Sequence, residues 1–167
     1  MTNPLLTSSE AYTFKPKDKN HDVYLIAPLD SNEFKRYVSL HSVVNDKDIS
    51  LPSYGAVITS KMADLLGAEK GSTIKIRDSE NNLYVLYIAD IVQNYTMHFI
   101  YVSSSYLKEI TNNDPNYNEI MVGMKNSNYD DISTKLLNNR KISAINYTND
   151  NIETYDTIIK GMNKIVY

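Results

Sequence analysis

The sequence predicts an α+β fold in two lobes, on three observations. Residues 55–110 set short apolar runs, a helical stripe and glycine turns in a fixed order, 119–147 reads strand, helix, strand, and 151–167 carries an apolar stripe at helical spacing. On this reading 51–110 is a β-rich small lobe, and 1–50 with 111–167 forms an α/β lobe.

Each element has its own local reason. DVYLIA at 22–27 is a β-branched and apolar run, so a strand is expected there, followed by a turn at 28–32 that can cap a helix over 33–40. A polar turn follows at 45–48. Ala56, Val57 and Ile58 form the next strand, and Thr59 or Ser60 can cap the helix after it by accepting the free N–H groups of its first turn. Met62, Leu65 and Leu66 make that helix's apolar stripe, Gly67 ends it, and Gly71 turns the chain into a strand at 73–76. A polar loop at 78–82 leads to a strand over Leu83–Val92, with Tyr84, Leu86 and Ile88 on one face and Leu83, Val85 and Tyr87 on the other, both expected to be partly buried. Ser103, Ser104 and Ser105 lack the Gly-x-Ser-x-Gly elbow and most simply cap a helix beginning near Tyr106. Beyond the Asn-rich loop at 111–119, a strand at 119–124, a helix at 129–138 and a strand at 142–147 give a ferredoxin-like or porter-like unit. The last helix, 151–167, aligns Ile152, Tyr155, Ile158, Ile159, Met162, Ile165 and Val166 on one face.

Two runs in the 51–110 region carry a resemblance. The first is Val57-Ile58-Thr59-Ser60-Lys61-Met62-Ala63, then Leu66-Gly67 and Gly71-Ser72-Thr73-Ile74; the second is Ile91-Val92-Gln93-Asn94-Tyr95, then His98, Tyr101, Val102, Ser103 and Tyr106. Together they resemble the large extracytoplasmic domain of FtsX/MacB-type ABC transporter permeases. The resemblance implies a non-enzymatic domain without cofactor, on the extracytoplasmic face of the cell membrane. It also implies partners: the protein's own transmembrane helices, a cytoplasmic ABC ATPase, and an extracellular protein, peptide or lipid cargo. A helix like 151–167 would lead into a transmembrane helix, so the chain reads as a soluble domain cut from a membrane protein. Asn94, Tyr95, His98 and Tyr101, in the loop of the second run, are the candidate binding residues.

Composition narrows the alternatives. A chain of 167 residues with 42% hydrophobic residues can bury a core without metal or disulfide, and there is no cysteine to supply a thiol nucleophile. A small barrel-type DNA-binding regulator is a second reading, but it wants a basic stripe, whereas Lys61, Lys70, Lys75 and Arg77 alternate with Asp64, Glu69, Asp78 and Glu80 in a chain of net charge -3. A secreted ligand-binding module is a third. No segment reaches the roughly 18 apolar residues of a membrane span, and MTNPLLTSSE lacks the basic and apolar regions of a signal peptide. His21, His41 and His98 stand far apart in sequence without ligand spacing, so no metal is expected. Asp46, Asp48, Asp130 and Asp131 read as turn and cap residues, and no catalytic group emerges. Most of the 14 tyrosines are expected in the core.

Overall fold

The computed structural model describes residues 4–94, 97–123 and 129–142. Along the chain these form β1 (Leu5–Phe14), β2 (His21–Pro28), α1 (Ser31–Phe34), β3 (Leu40–Ser42), β4 (Lys47–Ile49), β5 (Ala56–Thr59), α2 (Ser60–Leu66) and β6 (Thr73–Arg77). Then come β7 (Leu83–Val92), β8 (Phe99–Tyr101), α3 (Ser104–Thr111), β9 (Glu119–Met121) and α4 (Tyr129–Leu137). The fold is mixed α+β, and its centre is a closed barrel of six strands in the order β7-β5-β8-β2-β1-β6, with β6 returning to β7. The β3–β4 hairpin hangs from β7 through Ser42 and Val92, and β9 pairs with the start of β1.

Alternation closes the barrel. On β6, Ile74 and Ile76 face inward while Thr73, Lys75 and Arg77 face solvent, and on β7 Leu86 and Ile88 point inward to meet Val23, Leu25, Ala56, Ile58 and Ile100. Met62 and Ala63 of α2 and Tyr106 and Leu107 of α3 also belong to this core. Beyond Ile88 the register slips: Ala56 pairs with Ile88 but Val57 with Asp90. Gly55 makes room for that bulge, for it has φ +87° and a Cβ there would lie 2.9 Å from both the Ala89 Cβ and the Tyr87 ring.

A second core lies on the outside of the barrel. Ile26, Val57, Val92, Phe99 and Tyr101 point away from the interior and are covered by Phe34, Val38, Leu40 and Leu51, with Leu5 and Met121 at one end. Strands β5 and β8 and the second half of β2, residues 25–28, are therefore buried on both faces, which is why they read as unbroken apolar runs.

Several expectations change. The fold is not a separate β-rich insertion beside an α/β lobe: β1 and β2, from the first fifty residues, are staves of the same barrel as β5 to β8, so the boundary near residue 50 runs through it. β1 escaped notice because two of its buried positions are polar, Thr7 and Ser8. The helix expected over 33–40 stops after Phe34, since Leu40 is drawn into pairing with Ile49 and both Phe34 and Val38 are used in the second core. Asp30 caps that short helix by accepting from the N–H groups of Asn32 and Glu33. Leu65 is exposed, and Ala63 takes its place on the buried side of α2. The Leu83, Val85 and Tyr87 face of β7 is also exposed, because nothing among the described residues covers it. Of the second lobe, β9 and α4 are described; the strand expected at 142–147 and the helix at 151–167 fall almost wholly outside the described residues.

Candidate functional site

The loop from β7 to β8, with the strand it enters, carries Asn94, His98 and Tyr101; Tyr95 lies outside the described residues. Its anchor is the start of α2. The Ser60 hydroxyl donates to the Asn94 carbonyl at 3.2 Å and accepts from the Asn94 N–H at 3.3 Å, while Thr59 Oγ1 accepts from the Phe99 N–H at 3.2 Å. These hydroxyls therefore hold the loop; Thr59, at the N-cap position, makes no side-chain cap bond, contrary to the sequence expectation. Asn94 Oδ1 folds the loop by accepting from the Met97 N–H at 3.2 Å.

The parallel pairing of β2 with β8 brings His98 beside the distant His21. Their rings sit 5.7 Å apart edge to face, and Phe14 contacts both, at 5.1 Å from His98 and 5.3 Å from His21. The His98 Nδ1 is buried and has no hydrogen-bond partner among the described residues. Burial, then the charges of Lys61 and His21, holds the His98 pKa below its ordinary value of 6.5, which favours a neutral ring. Tyr101 stands apart, buried against Phe34 and Phe99 at 5.8 Å each, with its hydroxyl pKa pushed far up by burial. The structure thus joins Asn94 and His98 at the loop and puts Tyr101 into the second core. Among the other tyrosines of the two runs and the strand between them, Tyr106 is buried, Tyr84 half-buried and Tyr87 exposed.

Two polar clusters were not read as such from the sequence. His41 is held between Asp48 on Nδ1 at 2.9 Å and Asp46 on Nε2 at 3.0 Å, and hydrogen bonds to Asp48 and then Asp46 raise its pKa. The polar turn at 45–48 was its sequence signal; it joins β3 and β4 into a hairpin whose register sets His41 opposite Asp48. The second cluster centres on Asp90, a buried carboxylate. Burial pushes its pKa up, but the Ser42 hydroxyl at 2.6 Å, the Lys70 ammonium at 3.1 Å and the Ile91 N–H at 2.8 Å outweigh that and hold it below the ordinary value. Ser42 Oγ also accepts from the N–H groups of Val44 and Asn45, so the cluster ties the β3–β4 turn to the barrel. A lone carboxylate inside LYVLYIADIV was its sequence signal.

The Ser42 hydroxyl lies beside the Asp90 carboxylate, but it is fully buried and its oxygen already accepts from the Val44 and Asn45 N–H groups, so it presents no accessible nucleophile. The Ser103 hydroxyl donates to the Ser53 carbonyl at 2.7 Å and accepts from the Tyr106 N–H at 3.1 Å, which is the capping role expected of it. Lys70, one of the four cations a DNA-binding reading needs, is engaged with Asp90. An open depression of about 450 Å³ is lined by Pro4, Leu5, Leu6, Leu29, Asp30, Glu33 and Ile120, but its acids already serve α1: Asp30 caps it and Glu33 pairs with Arg36 at 2.9 Å. Among the described residues no three His, Cys, Asp or Glu gather as metal ligands, and no helix is long and apolar enough to cross a membrane.

No family model and no curated protein matches the sequence. Among solved structures, the chain is similar to the periplasmic region of MacB from Actinobacillus actinomycetemcomitans, with 11% identity and a TM-score of 0.43 over 82% of this chain and 64% of that one. The chain thus spans less than two thirds of the length of the structure it matches.

Proposed function

We propose that this chain is a non-catalytic extracytoplasmic domain of an FtsX/MacB-type ABC transporter permease. It relays motion from membrane helices, driven by a cytoplasmic ATPase, to a protein, peptide or lipid cargo outside. The observation that supports this most is the way the two sequence runs of the resemblance meet. Val57 and Ile58 of the first run pair with Tyr101 and Ile100 of the second, and Thr59 and Ser60 hold Phe99 and Asn94. The two runs are therefore packed together as one unit. A closed barrel backed by a second core is also stiff, as a part that relays displacement has to be.

The natural gene product tests the reading. Because the chain has no cysteine, Glu80→Cys in the 78–82 loop gives a single labelling site within it. The expected result is a product that sediments with membranes, copurifies with an ABC ATPase and is labelled at the introduced thiol in whole cells by an impermeant maleimide, while the isolated chain hydrolyses no ATP. ATP turnover by the isolated chain, or a full-length product found in the cytosol, overturns it.

A further inference from the structure

The outward face of the β6–β7 hairpin sets two rows side by side. Leu83, Val85 and Tyr87 of β7 stand opposite Arg77, Lys75 and Thr73 of β6. The apolar row is unusually bare: Leu83 is 46%, Val85 50% and Tyr87 37% exposed, and Tyr54, 57% exposed, extends it with its ring 5.8 Å from that of Tyr87. This end is fixed in place. Tyr106 packs 5.0 Å from Tyr54, and its hydroxyl accepts from the Tyr87 N–H at 3.0 Å. At about 3.3 Å per residue the row from Leu83 to Tyr87 is about 13 Å long, with the cations one strand spacing away.

The charges on this face are unbalanced. No carboxylate occupies an outward position among the paired residues 73–77 and 83–87, Asp90 farther along β7 being engaged with Lys70, and neither Lys75 nor Arg77 forms an ion pair among the described residues. Arg77 is oriented by the Asn81 carbonyl at 2.9 Å, and the adjacent Asp78 is turned into its own loop, accepting from Glu80, Asn82 and Tyr84. A chain of net charge -3 thus presents an apolar stripe edged by two cations that no carboxylate among the described residues neutralises.

We propose that this face docks an acidic, apolar-rich segment of a partner protein. Its carboxylates would meet Lys75 and Arg77, which lie two residues apart on one strand, and its apolar side chains would cover Leu83, Val85, Tyr87 and Tyr54. A second copy of this chain fits worse, because an isologous contact brings the same cations together. An anionic lipid surface also fits worse, since clusters of about four to eight basic residues are what such surfaces select. The inference stands on this surface and is independent of the permease reading.

The test uses two labelled twelve-residue peptides of identical Leu and Tyr content, one carrying Glu and the other Lys at its polar positions, titrated with the intact chain by fluorescence anisotropy. Phosphatidylglycerol vesicles are tested in parallel. The Glu peptide should bind at least tenfold more tightly than the Lys peptide and lose at least tenfold with Lys75→Glu/Arg77→Glu. Val85→Ser should weaken it severalfold, and all variants should melt as the parent does, since every altered side chain is exposed. No binding of the Glu peptide, equal binding of the two peptides, indifference to the double substitution, or vesicle binding that the double substitution abolishes while the Glu peptide does not bind would overturn the proposal. None of these outcomes moves the product between membrane and cytosol, so the two readings fail separately.

Discussion

The 51–110 segment and the first fifty residues build the same barrel by different means. Within 51–110 the turns are specified on the spot: Gly67 ends α2 at φ 60°, and Asp78 closes the β6–β7 loop by accepting from the N–H groups of Glu80 and Asn82. In the first fifty residues β2 and the covering segment take their meaning from distant partners: β2 lies parallel to β8, and 34–51 folds over the outer faces of β2, β5 and β8. The difference teaches that one stretch carries its turn signals locally, whereas the other is placed by pairing with strands distant in sequence.

The largest expected effects test whether the two cores fail together. Ile88→Ala in the barrel and Phe34→Ala in the outer core should cost about 2–5 and 3–5 kcal/mol respectively, since both side chains are fully buried. Hydrogen exchange distinguishes them. Loss of Ile88 should lower protection throughout the barrel, and loss of Phe34 should release amides of 34–51 first; equal loosening everywhere after Phe34→Ala would show that the covering segment is as integral as the staves. Thr59→Val comes next. It leaves the buried Phe99 N–H without its acceptor, at a cost of about 1–3 kcal/mol in denaturant titration, and should loosen the loop that carries Asn94 and His98. Gly67→Ala is milder: no atom lies within 4 Å of the added methyl, so only the left-handed backbone opposes it, at about 1–2 kcal/mol.

The smallest effects separate the regions by pH. His41 has a raised folded pKa through Asp48 and Asp46, so its contribution is complete below the unfolded value of 6.5 and is lost as pH rises through the higher folded value. His98 has a lowered pKa through burial, Lys61 and His21, so its contribution is complete above 6.5 and is lost as pH falls through the lower folded value. Melting curves between about pH 5 and pH 8 should therefore flatten in opposite directions for His41→Gln and His98→Gln. Parallel shifts for the two variants would mean that one of these environments is misassigned.

The parts legible in advance were those whose cause is local. Strand β5, helix α2 with Gly67, β6, β7 and the Ser103 cap of α3 all stand where turn and cap residues placed them. The candidate loop was legible as a loop, yet its anchoring was not: Thr59 and Ser60 look like helix caps from their neighbours alone, and only the return of β8 alongside β5 gives them Phe99 and Asn94 to bind. Tyr101 reads as a candidate binding residue of the motif loop until β8 is placed between β2 and β5, where it is sealed beneath Phe34.

By itself the sequence determined where the chain turns, which stretches extend or coil, and which residues are apolar enough to be hidden, because sterics and hydrogen bonding within a few residues decide these. Tertiary structure alone decided that six strands close on themselves, that β1 and β2 join the barrel, that His21 meets His98, and that the Leu83, Val85 and Tyr87 face stays bare. A strand's backbone ladder is nearly the same for every partner, so alternation announces a strand without naming its neighbour, and the neighbour settles which face is covered.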